Sequence, residues 1–592
     1  MRKWLNITAA LLCGLGWQVS AHSQNSWAMG TVKIDPTQNL GRWDGWGSSL
    51  AWWGRAVGGT ANADYYADLI YSTRSVDGYP GLGLNVVRYN VGGGGIDQPA
   101  ENKGPKLQWQ MDIHGYWVNP DSQKPTAWDW SVDGNQRSMM LKARAKGANV
   151  FELFSDSPMW WMNSNHSTAG SEAGSDCLAP ANQERFVTYL AEVVRHAKED
   201  WGIHFGSVEP FNEPSANWWK YPGRQEGCHF DVDTQQTIVQ KLRKRLDQLG
   251  LSEVMVAAAD ENNTDVALKT WDDCSEAARA AVGKVNVHGY YRGTEPYRGP
   301  NRAALRAAVG NKPLWQSEYG EGDASGYTMA RSIVLDIRGL RPSAWVYWQP
   351  VEPDSKVYGW GLLNADYVDT QDQVRPGQNT SLIRVNLKFW VFGQFTRYIR
   401  PGYRIIGIED SNSIAAYDPD SHKLVFVTVT GDTQQTVQYD LSAFKAVGDT
   451  AQVVATTTAP ETGIPDWKQH VEGVRLDGKG ARNLTFTLYP RSIYTFVISA
   501  DPKPTTEISG RARVQRARNP RHSRDGAGVR LVVERVGVHD LRASGLGDAD
   551  RSLQGEVLRQ RSKEVGSLGI GEAACATRNG GRTAASACCP GC

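Results

Sequence analysis

Two stretches of this 592-residue chain place glutamates where they could do acid–base chemistry. One is "SVEPFNEPSANWW", residues 207–219, in which Glu209 and Glu213 lie among prolines and Trp218 and Trp219 follow. The other is "LWQSEYGEG", residues 314–322, which carries Glu318. Two carboxyl groups in different protonation states are what glycosidic bond cleavage needs: an acid protonates the leaving oxygen, and a carboxylate attacks carbon or activates water. Nearby tryptophans suit such a substrate, because a sugar ring has an apolar C–H face that stacks and a polar edge that hydrogen-bonds. The tripeptide Asn212-Glu213-Pro214 says little alone. Its weight comes from a second glutamate, a His288-x-Tyr290 pair and Trp348, each at the end of an apolar run.

Those runs are the elements that must position the chemistry. Eight short apolar segments occur between residues 40 and 350: "GWGSSLAWW", "NVVRYNVGG", "NVFELFSDSP", "GSVEPFNEP", "VMVAAADE", "VNVHGYY", "LWQSEYGEG" and "AWVYWQP". Helical stripes separate them. Phe186, Leu190, Val193, Val194 and Ala197 form one, and Ile238, Leu242, Leu246 and Leu249, closed by Gly250, form another. Alternating strands and helices imply a parallel sheet, and eight such strands fit a (β/α)8 barrel. A doubly wound open sheet is the competing α/β reading, but the first strand lacks a glycine-rich phosphate turn. The "GGGG" of residues 92–95 has no lysine or helix start after it and reads as a flexible loop.

Barrel active sites lie at the C-terminal strand ends. The residues there are Trp52 and Trp53, Arg88 and Asn90, Asp156 with Trp160 and Trp161, Asn212 and Glu213 with Trp218 and Trp219, His288 and Tyr290, Glu318 and Tyr319, and Trp348. One aromatic doublet is usually core packing, whereas several on one rim fit a groove for sugar rings. Substrate contacts are therefore expected from Trp52, Trp53, Asp156, Trp160, Trp218 and Trp348. Glu209 reads as a buried structural carboxylate bonded to Arg88 or a backbone amide.

The remaining chain divides by composition. Residues 1–21 carry Arg2 and Lys3, a short apolar run and a Val19-Ser20-Ala21 cleavage site, which reads as a signal peptide for secretion or periplasmic export. No segment offers the roughly 20 apolar residues of a membrane helix, so no membrane anchor is expected. Residues 22–42 are expected to add a strand to a side domain, 43–389 to form the barrel, and 390–502 an antiparallel β-sandwich built from runs such as "KLVFVTVTG" and "SIYTFVIS". Residues 503–592 lack aromatics and are arginine-rich, the composition of a disordered basic tail. Net charge is −6 through residue 502 and +7 beyond it, so only the tail could favour polyanions, and no nucleic-acid partner is expected. Cys177, Cys228 and Cys274 remain in the body without metal-site spacing; Cys177 with Cys228 is the expected disulfide, and no metal is expected.

The segments "WDGWGSSLAWWGRAVGG", "VVRYNVGG", "FSDSPMWWM", "VEPFNEP", "LWQSEYGEG" and "WVYWQPVE" resemble glycoside hydrolase family 30, and most closely its endo-β-1,6-galactanase branch, over residues 27–498. The resemblance implies a barrel with a β-sandwich, a retaining mechanism without a cofactor, Glu213 as acid/base and Glu318 as nucleophile. It implies a polysaccharide substrate, β-1,6-linked galactan such as arabinogalactan side chains, and a monomeric chain. Endo-β-1,6-glucanase and glucuronoxylan hydrolase are alternatives within the family, and a non-catalytic carbohydrate-binding barrel is the alternative outside it. In this frame Arg88 holds Glu318 ionised, Asn212 bonds the hydroxyl next to the reacting carbon, Tyr290 orients the nucleophile, and Trp348 floors the reacting subsite. His288 either touches Glu213 or is a satisfied core histidine.

Removal of residues 503–592 is expected to leave polysaccharide hydrolysis and solubility unchanged. A truncated chain with lower kcat/KM or prompt precipitation would give the tail a role.

Overall fold

The computed structural model describes residues 30–99, 111–290, 301–354, 359–367, 380–460, 465–478, 480 and 482–503. The expected signal peptide and basic tail lie outside the described residues. Eight parallel strands close into a barrel: Gly45–Ser49, Val86–Asn90, Val150–Phe154, Ser207–Glu209, Met255–Glu261, Lys284–His288, Leu314–Glu318 and Ala344–Tyr347. Seven lie within the apolar segments read from the sequence, and the sixth begins one residue earlier, at Lys284. The two helical stripes become helices Gln183–His196 and Val232–Gln248, with Leu190 and Leu242 turned into the core. Gly250, at φ 71°, turns the chain out of the second helix, where a side chain would be strained.

The barrel interior is unusually polar for this architecture, whose interiors are commonly filled by branched aliphatic residues. Register explains how the polar groups meet. Arg88 lies opposite Glu152 on the next strand, and Glu152 lies opposite Ser207 on the one after. Glu152 accepts from Arg88 Nε at 3.0 Å, Ser207 Oγ at 2.6 Å and Asn286 Nδ2 at 2.9 Å, and pairs with Lys284. Lys284 also stands 3.1 Å from the centre of the Trp315 ring. Burial raises the Glu152 carboxyl, but the charges of Lys284 and Arg88 prevail and hold it below its ordinary value.

A β-rich side domain packs on this barrel. Strand Gly30–Arg42 joins its two halves, antiparallel to Arg404–Ile408 and parallel to Gln435–Asp440. The early "GTVKID" segment thus belongs to the side domain, and the sheet is antiparallel except at this pairing. Its core contains Ile34, Phe426, Tyr439 and Phe496, with Phe426 and Phe496 stacked 4.6 Å apart. Helix Leu387–Thr396 joins barrel to sheet: its Phe392 and Phe395 meet Trp46 of the first barrel strand, while Gln394 bonds Thr456 and Thr495. The sequence reading missed a small sheet of Val351–Pro353, Leu363–Ala365 and Leu382–Val385, whose strands are too short for a periodic signal.

Replacing Lys284 with Met leaves Glu152 buried beside only one cation. This is expected to cost about 3–5 kcal/mol of unfolding free energy, measurable by urea denaturation. A loss below about 1 kcal/mol would show that the interior ion pair adds little.

Candidate active site

Arg88, from the second strand, is fully buried and binds three carboxylates from three other strands. Its Nε donates to Glu152, its Nη1 to Glu318 Oε2 at 3.1 Å, and its Nη2 pairs with Asp260. The guanidinium also lies 4.2 Å from the centre of the Phe154 ring. Burial alone would lower the arginine's proton affinity. The charges of Asp260, Glu152 and Glu318 outweigh burial and raise it.

His288, at the end of the sixth strand, bridges the two candidate catalytic glutamates. Its Nδ1 is 3.3 Å from Glu213 Oε1 and 3.5 Å from Glu318 Oε1, and its Nε2 is 3.2 Å from Asp260 Oδ2. Carboxylates near both nitrogens favour the doubly protonated ring. Burial opposes this, but the charges of Glu318 and Asp260 raise the histidine well above its ordinary value. Sharing Nδ1 also limits the spacing of the glutamates: the two Oε1 atoms are at most about 7 Å apart, which excludes the wide end of the range spanned by inverting pairs.

Glu213 is anchored on several sides. Asn262 Nδ2 donates to its Oε1 at 2.5 Å, Trp218 Nε1 to its Oε2 at 3.2 Å, and its backbone N–H donates to Asp260 O at 2.9 Å. Glu213 and Asp260 both have left-handed backbone angles, φ 48° and 56°. Such geometry costs on the order of 1–2 kcal/mol for an L-residue.

Glu318 is held by Arg88 and by the Tyr290 hydroxyl, which donates to Oε1 at 3.1 Å. Burial is the largest influence on it and pushes the carboxyl up to about 7, against the pull of His288 and Arg88. Arg88 therefore favours the ionised form without overcoming burial, a weaker hold than the sequence reading expected.

The aromatic doublets divide between site and core. Trp53, expected to bind substrate, is fully buried, and its indole donates to Ser49 O at 2.7 Å. It sits in the core at the start of helix Trp53–Val57, so its face is unavailable. Trp161 and Trp219 are likewise buried, whereas Trp160 and Trp218 are half-buried. Trp52 and Trp348 meet edge to face at 5.0 Å in a cluster with Phe154, the ring packed on Arg88. Asp156 binds Asn90, and Asn212 is buried beside Glu213.

The sequence reading missed Asp260, Asn262, Glu226 and Trp360. The first two close or follow the fifth strand, and applying the strand-end rule there would have found them. Trp360 packs against the Trp52–Trp348 cluster, with its ring 6.3 Å from Tyr290. Glu226 is buried and accepts the N–H groups of Gly93 and Gly95 at 2.9 and 3.0 Å. The "GGGG" segment is thus a packed support: a Cβ on Gly95 would come within 2.4 Å of Asp112 Oδ1. Glu209 accepts from Phe211 N–H at 3.3 Å. Burial, then the charges of Asp260 and Glu152, raise it well above its ordinary value and favour the protonated form, in keeping with a structural role.

Cys177 and Cys228 are buried, unbridged thiols in the structure, where a disulfide was expected. Their segments adjoin, with His229 N–H donating to Cys177 Sγ at 3.3 Å. Asp176, His229 and Asp231 form a cluster that could hold a metal ion. Both Asp176 oxygens already accept from Asp231 N–H and Thr234 Oγ1 at the start of helix Val232–Gln248.

A family model described as O-Glycosyl hydrolase family 30 matches residues 29–282. The chain is 40% identical over 499 residues to an endo-β-1,6-galactanase of Hypocrea rufa, covering 82% of this chain and 96% of that protein. It is 24% identical to an exo-β-1,6-galactobiohydrolase of Bifidobacterium longum subsp. longum, covering 82% of this chain and 41% of that protein. The catalytic domain of GH30 xylanase C from Talaromyces cellulolyticus shares the fold, with a TM-score of 0.55 at 18% identity over 79% of this chain and 99% of that one.

The raised Glu318 carboxyl predicts a pH effect on stability. Between the ordinary glutamate value and about 7, the folded protein keeps a proton that the unfolded chain has released, so this group's contribution falls as pH rises. Glu318→Gln is therefore expected to gain stability relative to wild type from about pH 5 to about pH 8, by on the order of 3 kcal/mol. Urea denaturation at both values checks this; a pH-independent difference would place the folded-state carboxyl at its ordinary value.

Proposed function

Because the chain belongs to glycoside hydrolase family 30, we propose that it is a retaining hydrolase of β-1,6-linked galactan that uses Glu213 as acid/base and Glu318 as nucleophile. The carrying observation is the shared His288 Nδ1, which keeps both carboxyl groups on one side of the barrel with their Oε1 atoms at most about 7 Å apart, a limit that admits the spacing of double displacement. In the first step Glu213 gives its proton to the glycosidic oxygen while ionised Glu318 attacks the anomeric carbon; the C–O bond to the leaving sugar breaks and a glycosyl ester forms. In the second step Glu213 takes a proton from water, whose oxygen attacks the same carbon and releases Glu318 as carboxylate.

The surrounding charges support this sequence. Tyr290 and Arg88 each hold one Glu318 oxygen. When the ester forms, the Glu318 charge disappears, and Glu213, having given up its proton, serves as the base of the second step. Trp218 faces Glu213 and supplies a ring near the leaving group. Cleavage within the chain of a galactan follows the 40%-identical relative, named an endo-β-1,6-galactanase. The reading includes export guided by residues 1–21 and action as a monomer, and the barrel of residues 43–389 carries the chemistry.

The test is hydrolysis of debranched β-1,6-galactan beside β-1,6-glucan and glucuronoxylan, with products sized and Glu318→Gln run in parallel. Galacto-oligosaccharide release that falls at least about 10⁴-fold in the variant is expected. Activity confined to glucan or glucuronoxylan would retain the mechanism and overturn the substrate, while no hydrolysis of any polymer would favour a binding protein.

A further inference from the structure

We propose that Asn90 and Asp156 form a hydroxyl clamp that holds the reacting galactosyl unit at its C3 or C4 hydroxyl. This deepens the catalytic reading of Glu213 and Glu318 and rests on it. Asn90 closes the second barrel strand, and Asp156 lies two residues beyond the third, whose last residue, Phe154, is the register partner of Asn90. Asn90 Nδ2 donates to Asp156 Oδ2 at 2.7 Å. The Asn90 backbone is pinned from both sides by Gln136, which accepts its N–H at 3.0 Å and donates to its carbonyl at 2.9 Å.

This arrangement uses one polar atom of each side chain. The other two, Asn90 Oδ1 and Asp156 Oδ1, are buried without a hydrogen-bond partner. The residues themselves are 0% and 2% exposed. Unpaired buried polar atoms are costly, and a bound ligand is one way of satisfying them. The pair lies beside the reacting centre: Phe154, between them in register, packs on Arg88, and the Asp156 carboxyl feels the Glu318 charge.

The two free atoms have complementary roles. Burial, followed by the Glu318 charge, pushes Asp156 up to about 8, so the carboxyl keeps its proton at neutral pH. Its Oδ2 accepts from Asn90, which leaves Oδ1 to carry the proton. A donor on Asp156 then stands with an acceptor on Asn90, and one alcohol can accept from the first while donating to the second.

Substrate chemistry narrows the choice of alcohol. In a β-1,6-linked unit, C1 is the reacting carbon and C6 carries the next linkage, leaving the hydroxyls at C2, C3 and C4. C2 adjoins the reacting carbon, and its hydroxyl is the one that the family resemblance gives to Asn212, beside Glu213. The clamp takes C3 or C4, and a grip on C4 would also separate galactose, where this hydroxyl is axial, from glucose, where it is equatorial.

The test uses the full chain and aryl β-1,6-galactobiosides deoxygenated at C2, C3 or C4 of the aryl-bearing unit. Asp156→Asn and Asn90→Ser are compared with wild type, and thermal melts confirm which variants fold, so either variant alone completes the comparison. Wild type is expected to lose at least about 100-fold in kcat/KM on the C3- or C4-deoxy substrate. Each folded variant should lose a similar factor on the parent but little more on that same deoxy substrate, because the contact is already gone. Unchanged deoxy penalties in the variants, or coupling to C2 alone, would overturn the clamp while leaving the catalytic reading intact. Failure of wild type to cleave the parent glycoside would overturn both.

Discussion

The site depends on a buried guanidinium. Arg88 is fully enclosed by protein, where an unpaired charge would be prohibitively expensive, and it is tolerated because three carboxylates reach it from three other strands. Glu152 ties it into the barrel interior, Asp260 links it to His288, and Glu318 brings it to the reacting centre. A change in barrel closure or strand register would separate these partners. Fold and active site are therefore stabilised by one electrostatic network.

Charge balance within that network determines what its members can do. Arg88, Lys284 and His288 face Glu152, Asp260 and Glu318, while burial and the neighbouring carboxylates raise Glu209 in the same interior. Neighbouring cations lower Asp260 and Glu152 despite burial. Glu318 has the same two kinds of influence with the opposite result, since burial outweighs Arg88 and His288. Similar carboxylic acids thus acquire different proton affinities from different local partners, the condition for dividing acid, base and structural work among them.

The rim follows a related division. In two of the tryptophan doublets one ring is buried and its neighbour half-buried, as Trp161 and Trp219 are beside Trp160 and Trp218, whereas Trp52 and Trp53 are both buried, Trp52 against Trp348. Glu226 braces the loops by taking up the amides of Gly93 and Gly95 so that the turn after Arg88 and Asn90 is packed in place.

Much of this was legible in the chain itself. Apolar runs alternating with helical stripes determined eight barrel strands, and the strand-end rule drew Arg88, Glu213, His288, Tyr290 and Glu318 from distant segments to one face. Side-chain periodicity is a local property, so sequence carries it directly. Sequence could not say which tryptophan of a doublet would be buried, that Asp260 would link Arg88 to His288, or that Gly92–Gly95 would be packed around a distant glutamate. Those outcomes depend on the angle at which each loop leaves its strand and on what other loops place against it. The proton affinities of Glu318 and Asp156 were equally hidden, because burial and neighbouring charge arise only when the barrel closes.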